Sequence, residues 1–291
     1  MIKKYIPESL KERYRRIRAK LFSIGLTHTA SFEQPYEEIV ASYDISVVIA
    51  IHDSPNVTQR CLDSLERYSA NAEVILVDDG SRLRETVDLV QAYQQRNGWA
   101  IIKHSKPLGH SRSCEDGSRL ASRPYLCFLN SDTIITPWSW HAAQEAFKSD
   151  PQIAVTGPST SCSSTKQRIR RAEYCRQYWT NSQIYAFAKK YISDLPPRAW
   201  IDLPRVDGFA FFIRRSLWQE LVGFDPNLPD YGNEVELCKR LSVRGFRIVW
   251  TQNSYIHHIG EASYSQIMST DERTHRRIAG RDYINRVYGN K

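Results

Sequence analysis

Long apolar runs are missing from this sequence. A membrane-spanning helix needs roughly 20 consecutive apolar residues, and the strand-like run ISVVIAI at 45–51 stops after seven; an integral membrane protein is not expected. Cysteine is scarce and unpatterned. Cys61, Cys114, Cys127, Cys162, Cys175 and Cys238 form no C-x-x-C pair, which argues against both zinc and a disulfide framework in a chain of 291 residues. Reduced thiols in a cytoplasmic protein are the expectation. A glycine-rich, lysine-bearing phosphate loop is also absent after the first apolar run, where the chain reads HDSPNVT. That counts against nucleotidyl transfer, a competing class that also uses aspartate-rich strand ends and a metal. The N-terminus is basic but lacks the apolar core and small-residue cleavage site of a secretory leader, so none is expected.

Excess charge is present but confined. The formal net charge is +8, yet Lys3, Lys4, Lys11, Arg13, Arg15, Arg16, Arg18 and Lys20 are opposed in their segment only by Glu8 and Glu12, so most of the excess lies there. The nearly neutral remainder speaks against a nucleic-acid partner. Residues 8–26 predict a helix, because Leu10, Tyr14, Ile17, Leu21 and Ile24 recur at steps of three and four along one face. Such a basic amphipathic helix packs on its own domain, packs on a second copy to give a homo-oligomer, or lies on the inner face of an anionic membrane. Residues 27–43, polar and containing Pro35, read as a linker.

From Ile45 the pattern becomes an alternation of strands and helices. Strands are expected at Ile45–Ile51, Glu73–Val77, Trp99–Lys103 and Tyr125–Leu129, with helices after Ser54-Pro55, over Leu83–Tyr93 and around Ser111–Ala121. Ser54 reads as an N-cap, with Pro55 in the first turn. This rhythm implies right-handed crossovers and a single, mostly parallel Rossmann-like sheet flanked by helices. After Ile153–Thr156 the rhythm breaks, and residues 159–205 show no clean period. A strand over Val206–Arg214, a helix over Glu234–Arg244, strands Phe246–Trp250 and Ser254–His258 and a helical C-terminal segment complete the reading. The chain divides into 1–43 (helix and linker), a domain at 44–264 with an insertion at 159–205, and 265–291.

In such a sheet, ligands gather beyond the carboxyl ends of the strands. His52-Asp53-Ser54, Asp78-Asp79 and Asn130-Ser131-Asp132 stand at three such ends. Each cluster alone reads equally well as a turn or a cap. Converging on one crevice, the second and third of these clusters, Asp78-Asp79 and Asn130-Ser131-Asp132, suit a divalent cation, Mn²⁺ or Mg²⁺, holding a diphosphate, since hard cations want oxygen ligands. Glu234, at a helix start, is either a partner of the helix dipole or a general base. The His257-His258 pair offers an imidazole to complete a metal shell, or is simply half core and half surface.

The order of these pieces resembles the family 2 glycosyltransferases, which have the GT-A fold. The resembling segments are ISVVIAIHDS, EVILVDDGS, YLCFLNSDT, VDGFAFFIRRSLWQELVGFD, YGNEVELCKRLSVRGFRIVW and HHIGEASY, spread from Ile45 to Tyr264. The resemblance implies that Asp78 and Asp79 hold the donor's base and ribose, with Ile51, His52, Asp53, Gly109 and Ser131 lining the same pocket. It implies that Asp132 ligates the metal, that Glu234 is the catalytic base, and that His257, favoured over His258, contacts metal or diphosphate. Arg171 and Trp179 in the insertion, with Asn233 beside the base, are the acceptor candidates.

Three departures from the family pattern stand out: Asn130 replaces the first Asp of Asp-x-Asp, Asn233-Glu234 replaces Glu-Asp, and Pro107 and Glu115 stand where asparagines are usual. The expected activity is inverting, metal-dependent transfer from a nucleoside diphosphate sugar, UDP- or dTDP-linked, to a hydroxyl of a glycan or lipid-linked acceptor in surface polysaccharide synthesis. A degenerate sugar-binding or scaffolding relative is the alternative.

Overall fold

The computed structural model describes residues 43–69, 71–173, 179–260 and 269–289. Its first half is built as the alternation predicts. Strand β1 (Ile45–Ile51), helix α1 (Pro55–Tyr68), β2 (Glu73–Asp78), α2 (Arg84–Asn97), β3 (Ala100–Lys103), α3 (His110–Leu120) and β4 (Tyr125–Asn130) follow one another. β1 pairs in parallel with both β2 and β4, and β2 with β3. A strand in that position is covered on both faces, which is why its apolar run is unbroken. Ile45, Val47, Ile49 and Ile51 pack with Cys61, Leu62 and Leu65 of α1, while Val48 faces Cys114 of α3. Burial of each such side chain is worth about 1.5–3 kcal/mol. α3 approaches the sheet so closely that a Cβ on Gly117 would lie 2.3 Å from Val48 Cγ1.

The second half is mixed. It comprises β5 (Thr133–Ile134), α4 (His141–Ser149), β6 (Ile153–Ser159), α5 (Arg170–Glu173), α6 (Asn181–Ser193), β7 (Trp200–Asp202), β8 (Ala210–Arg214), α7 (Arg215–Glu220), α8 (Asn233–Val243), β9 (Arg247–Tyr255), β10 (His257–His258) and α9 (Thr270–Tyr288). The main sheet has the order β3-β2-β1-β4-β8-β6-β9-β7. Four of its seven neighbouring pairs are parallel, and β8 runs antiparallel to both β4 and β6. α1, α2 and α4 cover one face, and α3, α7 and α8 the other. Among the described residues no helix is long and apolar enough to cross a membrane.

Three elements differ from the sequence expectation. The strand expected at Val206–Arg214 begins only at Ala210, with Asp207-Gly208 lying before it. The two late strands are instead one long β9, followed by a short β10 that pairs antiparallel with β5. Within 159–205, α6 starts at a capping box: Thr180 accepts from the Gln183 N–H, and Gln183 reaches back to the Thr180 N–H. That signature was legible as T-x-x-Q, but the missing period concealed it. The helix expected at 8–26 lies outside the described residues, as does the linker except for Tyr43, which is buried against Trp140.

Candidate active site

The carboxyl ends of β1 and β2 are knit together by main-chain hydrogen bonds. Asp53 and Ser54 adopt left-handed backbone conformations, with φ of 50° and 61°, which cost about 1–2 kcal/mol each for residues other than glycine. Asp53 Oδ1 accepts the N–H groups of Arg82 at 2.9 Å and Leu83 at 2.8 Å, and its own N–H donates to Ser81 Oγ at 3.1 Å. Ser54 makes no side-chain cap, contrary to its reading as an N-cap, because the left-handed turn carries its hydroxyl away from the helix N–H groups. Asp78 Oδ1 accepts the Ser81 N–H at 3.0 Å. Asp79 accepts the N–H of Leu108 at 2.8 Å on one oxygen and that of Gly109 at 2.9 Å on the other, with His104 Nδ1 at 2.8 Å. His52 Nδ1 lies 2.7 Å from the Asp79 carbonyl oxygen. Gly80 admits no side chain, since a Cβ would lie 2.5 Å from the Lys106 carbonyl carbon.

These strand ends open into a cleft of about 1180 Å³, lined among others by Ile51, His52, Asp79, Gly109, Ser131, Asp132, Asn233, Glu234 and His258. Asp53 and Asp78 stand behind this lining and hold the turns that form it.

Asp132 meets His258 at the centre. β10 pairs His258 with Thr133 and His257 with Ile134. Successive residues of a strand face opposite ways, so only one of the two histidines can reach the cleft. That one is His258, whose Nε2 lies 3.3 Å from Asp132 Oδ1. Its Nδ1 lies 2.9 Å from the Cys162 carbonyl oxygen, and its ring stacks on Phe209 at 5.1 Å. Burial would lower the affinity of His258 for its proton, but Asp132 outweighs it and holds the imidazole up to about 10. The expectation that His257 is the ligand is corrected here. It is fully buried, its Nδ1 is 3.0 Å from the Tyr255 hydroxyl, and its ring faces Trp179. Asp132 and His258 are the candidate pair for a divalent cation, and among the described residues no third His, Cys, Asp or Glu joins them in a cluster. The buried His258 Nε2 has Asp132 as its polar neighbour, and a carboxylate oxygen beside an imidazole nitrogen is a donor pair that suits Mn²⁺.

Glu234 begins α8 on another wall of the cleft. Its carboxylate packs on the glycine of Val206-Asp207-Gly208, where a Cβ would lie 3.5 Å from Glu234 Cδ. Burial, and then the negative charge of Asp207, push its carboxyl up to about 7, against weaker opposition from the N–H groups of Glu234 and Gly208 and from Arg205. Asn233, expected at the acceptor, is 3% exposed. Its amide donates to Ser111 Oγ at 2.8 Å, and its oxygen accepts the Glu234 N–H at 2.9 Å, so it braces the start of the helix.

The other two acceptor candidates do not reach the cleft. Trp179 is 2% exposed within a small core that includes Phe187 and Tyr255, with its ring against Phe187 and His257. Arg171 is exposed on α5, outside the cleft lining. The basic groups that do line the cleft are Arg82, Arg168, Arg205, Lys239, Arg276, Arg277 and Arg281. Three of them come from α9, which docks by fitting Gly280 against the Tyr231 carbonyl oxygen and by hydrogen bonds from Tyr283 to Asp225 at 2.7 Å and from Tyr288 to Glu236 at 2.5 Å. No motif marked them, because α9 is polar around most of its circumference.

A sheet of this order, with a carboxylate–histidine pair at its central strand end, is the GT-A architecture. The chain superimposes on the mannosyltransferase PcManGT from Pyrobaculum calidifontis in complex with GDP-Man and Mn²⁺, with a TM-score of 0.55 and 12% identity over 87% of this chain and 68% of that one. It likewise matches GalNAc-T7 with UDP, GalNAc and Mn²⁺, with a TM-score of 0.59 and 15% identity over 89% of this chain and 53% of that one. The sequence profile of glycosyl transferase family 2 matches residues 46–221, more than half of the chain, and the chain belongs to that family. Among its relatives is the O-antigen biosynthesis protein RfbC of Myxococcus xanthus, 23% identical over 223 residues, which are 74% of this chain and 17% of that protein. Another is the poly-β-1,6-N-acetyl-D-glucosamine synthase of Staphylococcus aureus (strain COL), 30% identical over 86 residues, 29% of this chain and 21% of that protein. The chain thus spans about a fifth or less of the length of either relative.

Proposed function

We propose that this protein is an inverting glycosyltransferase that moves a sugar from a nucleoside diphosphate donor, UDP- or dTDP-linked, to a hydroxyl of a glycan or lipid-linked acceptor in polysaccharide synthesis. The observation that carries this reading is the shared cleft. Asp132 with His258 on one side, and a carboxyl held near neutrality at Glu234 on the other, open onto one space of about 1180 Å³. His52, the Asp79 turn and Gly109 line the part of the cleft that would take the base and ribose. Asp132 and His258 would hold Mn²⁺ or Mg²⁺, which when bound neutralises charge developing on the leaving diphosphate.

Glu234 takes the proton of the acceptor hydroxyl as that oxygen attacks the anomeric carbon. The bond to the diphosphate breaks on the opposite face, and its electron pair leaves with the diphosphate. A base with a pKa near the working pH combines availability with proton affinity. The basic groups of α9 border this space and are suited to an acceptor bearing phosphate or carboxylate. The protein would act in the cytoplasm, against the inner face of the membrane if residues 8–26 bind lipid.

The test is a thermal-shift screen of UDP-, dTDP- and GDP-sugars with Mn²⁺, followed by donor hydrolysis and transfer assays on the donors that bind. Binding to the native state raises the melting temperature. A donor that stabilises the protein and is turned over supports the reading. Stabilisation with no turnover in any metal would leave a sugar-nucleotide-binding protein instead.

A further inference from the structure

Asp207 lies in the segment before β8, within the same cleft, and no motif reading assigns it a task. Its carboxylate is gripped by one loop. Ser163 Oγ donates to it at 2.6 Å, the Ser164 N–H at 2.5 Å and Ser164 Oγ at 2.9 Å. Its own N–H donates to Gln167 Oε1 at 2.8 Å, and the Gln167 amide donates in turn to the Pro158 carbonyl oxygen at 2.9 Å. The loop held in this way also carries Cys162, whose carbonyl oxygen orients His258. The next residue, Gly208, is the surface on which the Glu234 carboxylate rests. One side chain therefore fixes both the loop behind the cation site and the seat of the base.

We propose that Asp207 is a positioning residue for Glu234: tied to the Ser163–Gln167 loop, it aims the base by fixing Gly208 and sets a negative charge beside it. This rests on Glu234 being the base. The charged and titratable groups facing Glu234 are Asp207 and Arg205 from the segment before β8 and the Cys238 thiol of its own helix. The Asp132–His258 pair, Lys239, the α9 arginines and Glu272, and His52, Asp79, Arg82, His110, Arg168 and Asp230, line the rest of the cleft. Asp207 favours the protonated carboxyl and Arg205 opposes it, with Asp207 the larger influence. The Cys238 thiol is pushed up to about 12 by burial and stays neutral across the working range. Arg205 is itself partly engaged, donating to Ser164 Oγ at 3.1 Å, so Asp207 sets the sign.

Asp207→Asn separates the two roles, because it keeps an oxygen acceptor for the serine donors and removes the charge. Asp207→Glu restores the charge, and Asp207→Ala removes both. The Glu234 carboxyl is followed directly, without substrate, by the infrared carbonyl band that disappears in Glu234→Gln. Its titration midpoint is expected to fall by about one pH unit in Asp207→Asn, a tenfold easier ionisation, and to return in Asp207→Glu. The acid limb of the transfer rate should move with it, while the donor KM stays constant. A midpoint unmoved in both Asp207→Asn and Asp207→Ala overturns the proposal. Wild-type turnover in Glu234→Gln would instead overturn the base assignment, while the infrared midpoint would still report whether Asp207 acts on Glu234.

Discussion

Asp53 and Asp79, at the ends of β1 and β2, give their oxygens to backbone N–H groups: Arg82 and Leu83 for the first, Leu108 and Gly109 for the second. Asp132 and Glu234 stand differently. Asp132 pairs with the His258 imidazole at 3.3 Å, and Glu234 lies between a glycine and a second carboxylate, held up to about 7 first by burial and then by Asp207. All four are acidic side chains around one cleft. The first two hold loops in place; the last two face ionisable side chains across the cleft lining. Residue type does not separate the pairs; their partners do, the main chain of a neighbouring loop for the first two and another ionisable side chain for the last two.

The contrast breaks most readily at Glu234. Glu234→Gln should lower transfer by about 100- to 10,000-fold with little change in donor affinity, measured as kcat and KM for the donor found by the screen. The same variant should be more stable than wild type at pH 8. The folded carboxyl sits above its ordinary 4.5, so the ionised form costs stability fully above about pH 7, and that cost fades as pH falls toward 4.5. The gain at pH 8 is at most about 3 kcal/mol, read from denaturant melts of both proteins. Wild-type transfer should correspondingly decline as pH falls through 7.

Asp79→Asn probes the other member of the contrast. Replacing a buried acceptor of two N–H groups and an imidazole should cost about 2–4 kcal/mol of stability; a denaturation midpoint equal to wild type would erase the distinction drawn here. Asp132→Asn and His258→Ala should weaken Mn²⁺-dependent donor binding about 10- to 100-fold. Each should also lower stability at pH 7, because the folded state holds the His258 imidazole up to about 10 and that stabilisation is lost with the pair. His257→Ala should lower the melting temperature with donor affinity intact, as titration calorimetry with and without Mn²⁺ would reveal. The smallest effect is expected at Gly280→Ala. Its Cβ would lie 2.5 Å from the Tyr231 carbonyl oxygen, so α9 must shift at a cost of about 1–2 kcal/mol, detectable as lost thermal stability and faster proteolysis of the C-terminal helix.

Much of the fold was legible. β1 occupies the residues its β-branched run marked out, and α8 begins within one residue of its expected start. Asp132 and Glu234 both line the cleft, and each lies within two residues of the end or start of an element whose period is clear. His258 could not be told from His257, because strand parity is set by the β10–β5 pairing, between segments more than a hundred residues apart. Trp179 carried the composition of a sugar-binding residue, yet it fills a core with Phe187 and Tyr255. Asp207, Arg205 and the α9 arginines went unnoticed, since nothing local distinguishes a charge facing a cleft from one facing solvent.

The sequence by itself determined the order of strands and helices, the buried central strand and the family, because these follow from period, propensity and motif spacing along the chain. The tertiary structure alone decided which histidine faces Asp132, which aspartates are spent on backbone N–H groups, and that Asp207 stands beside Glu234. Those are matters of distance and burial between remote segments, and charge acts through space rather than along the chain.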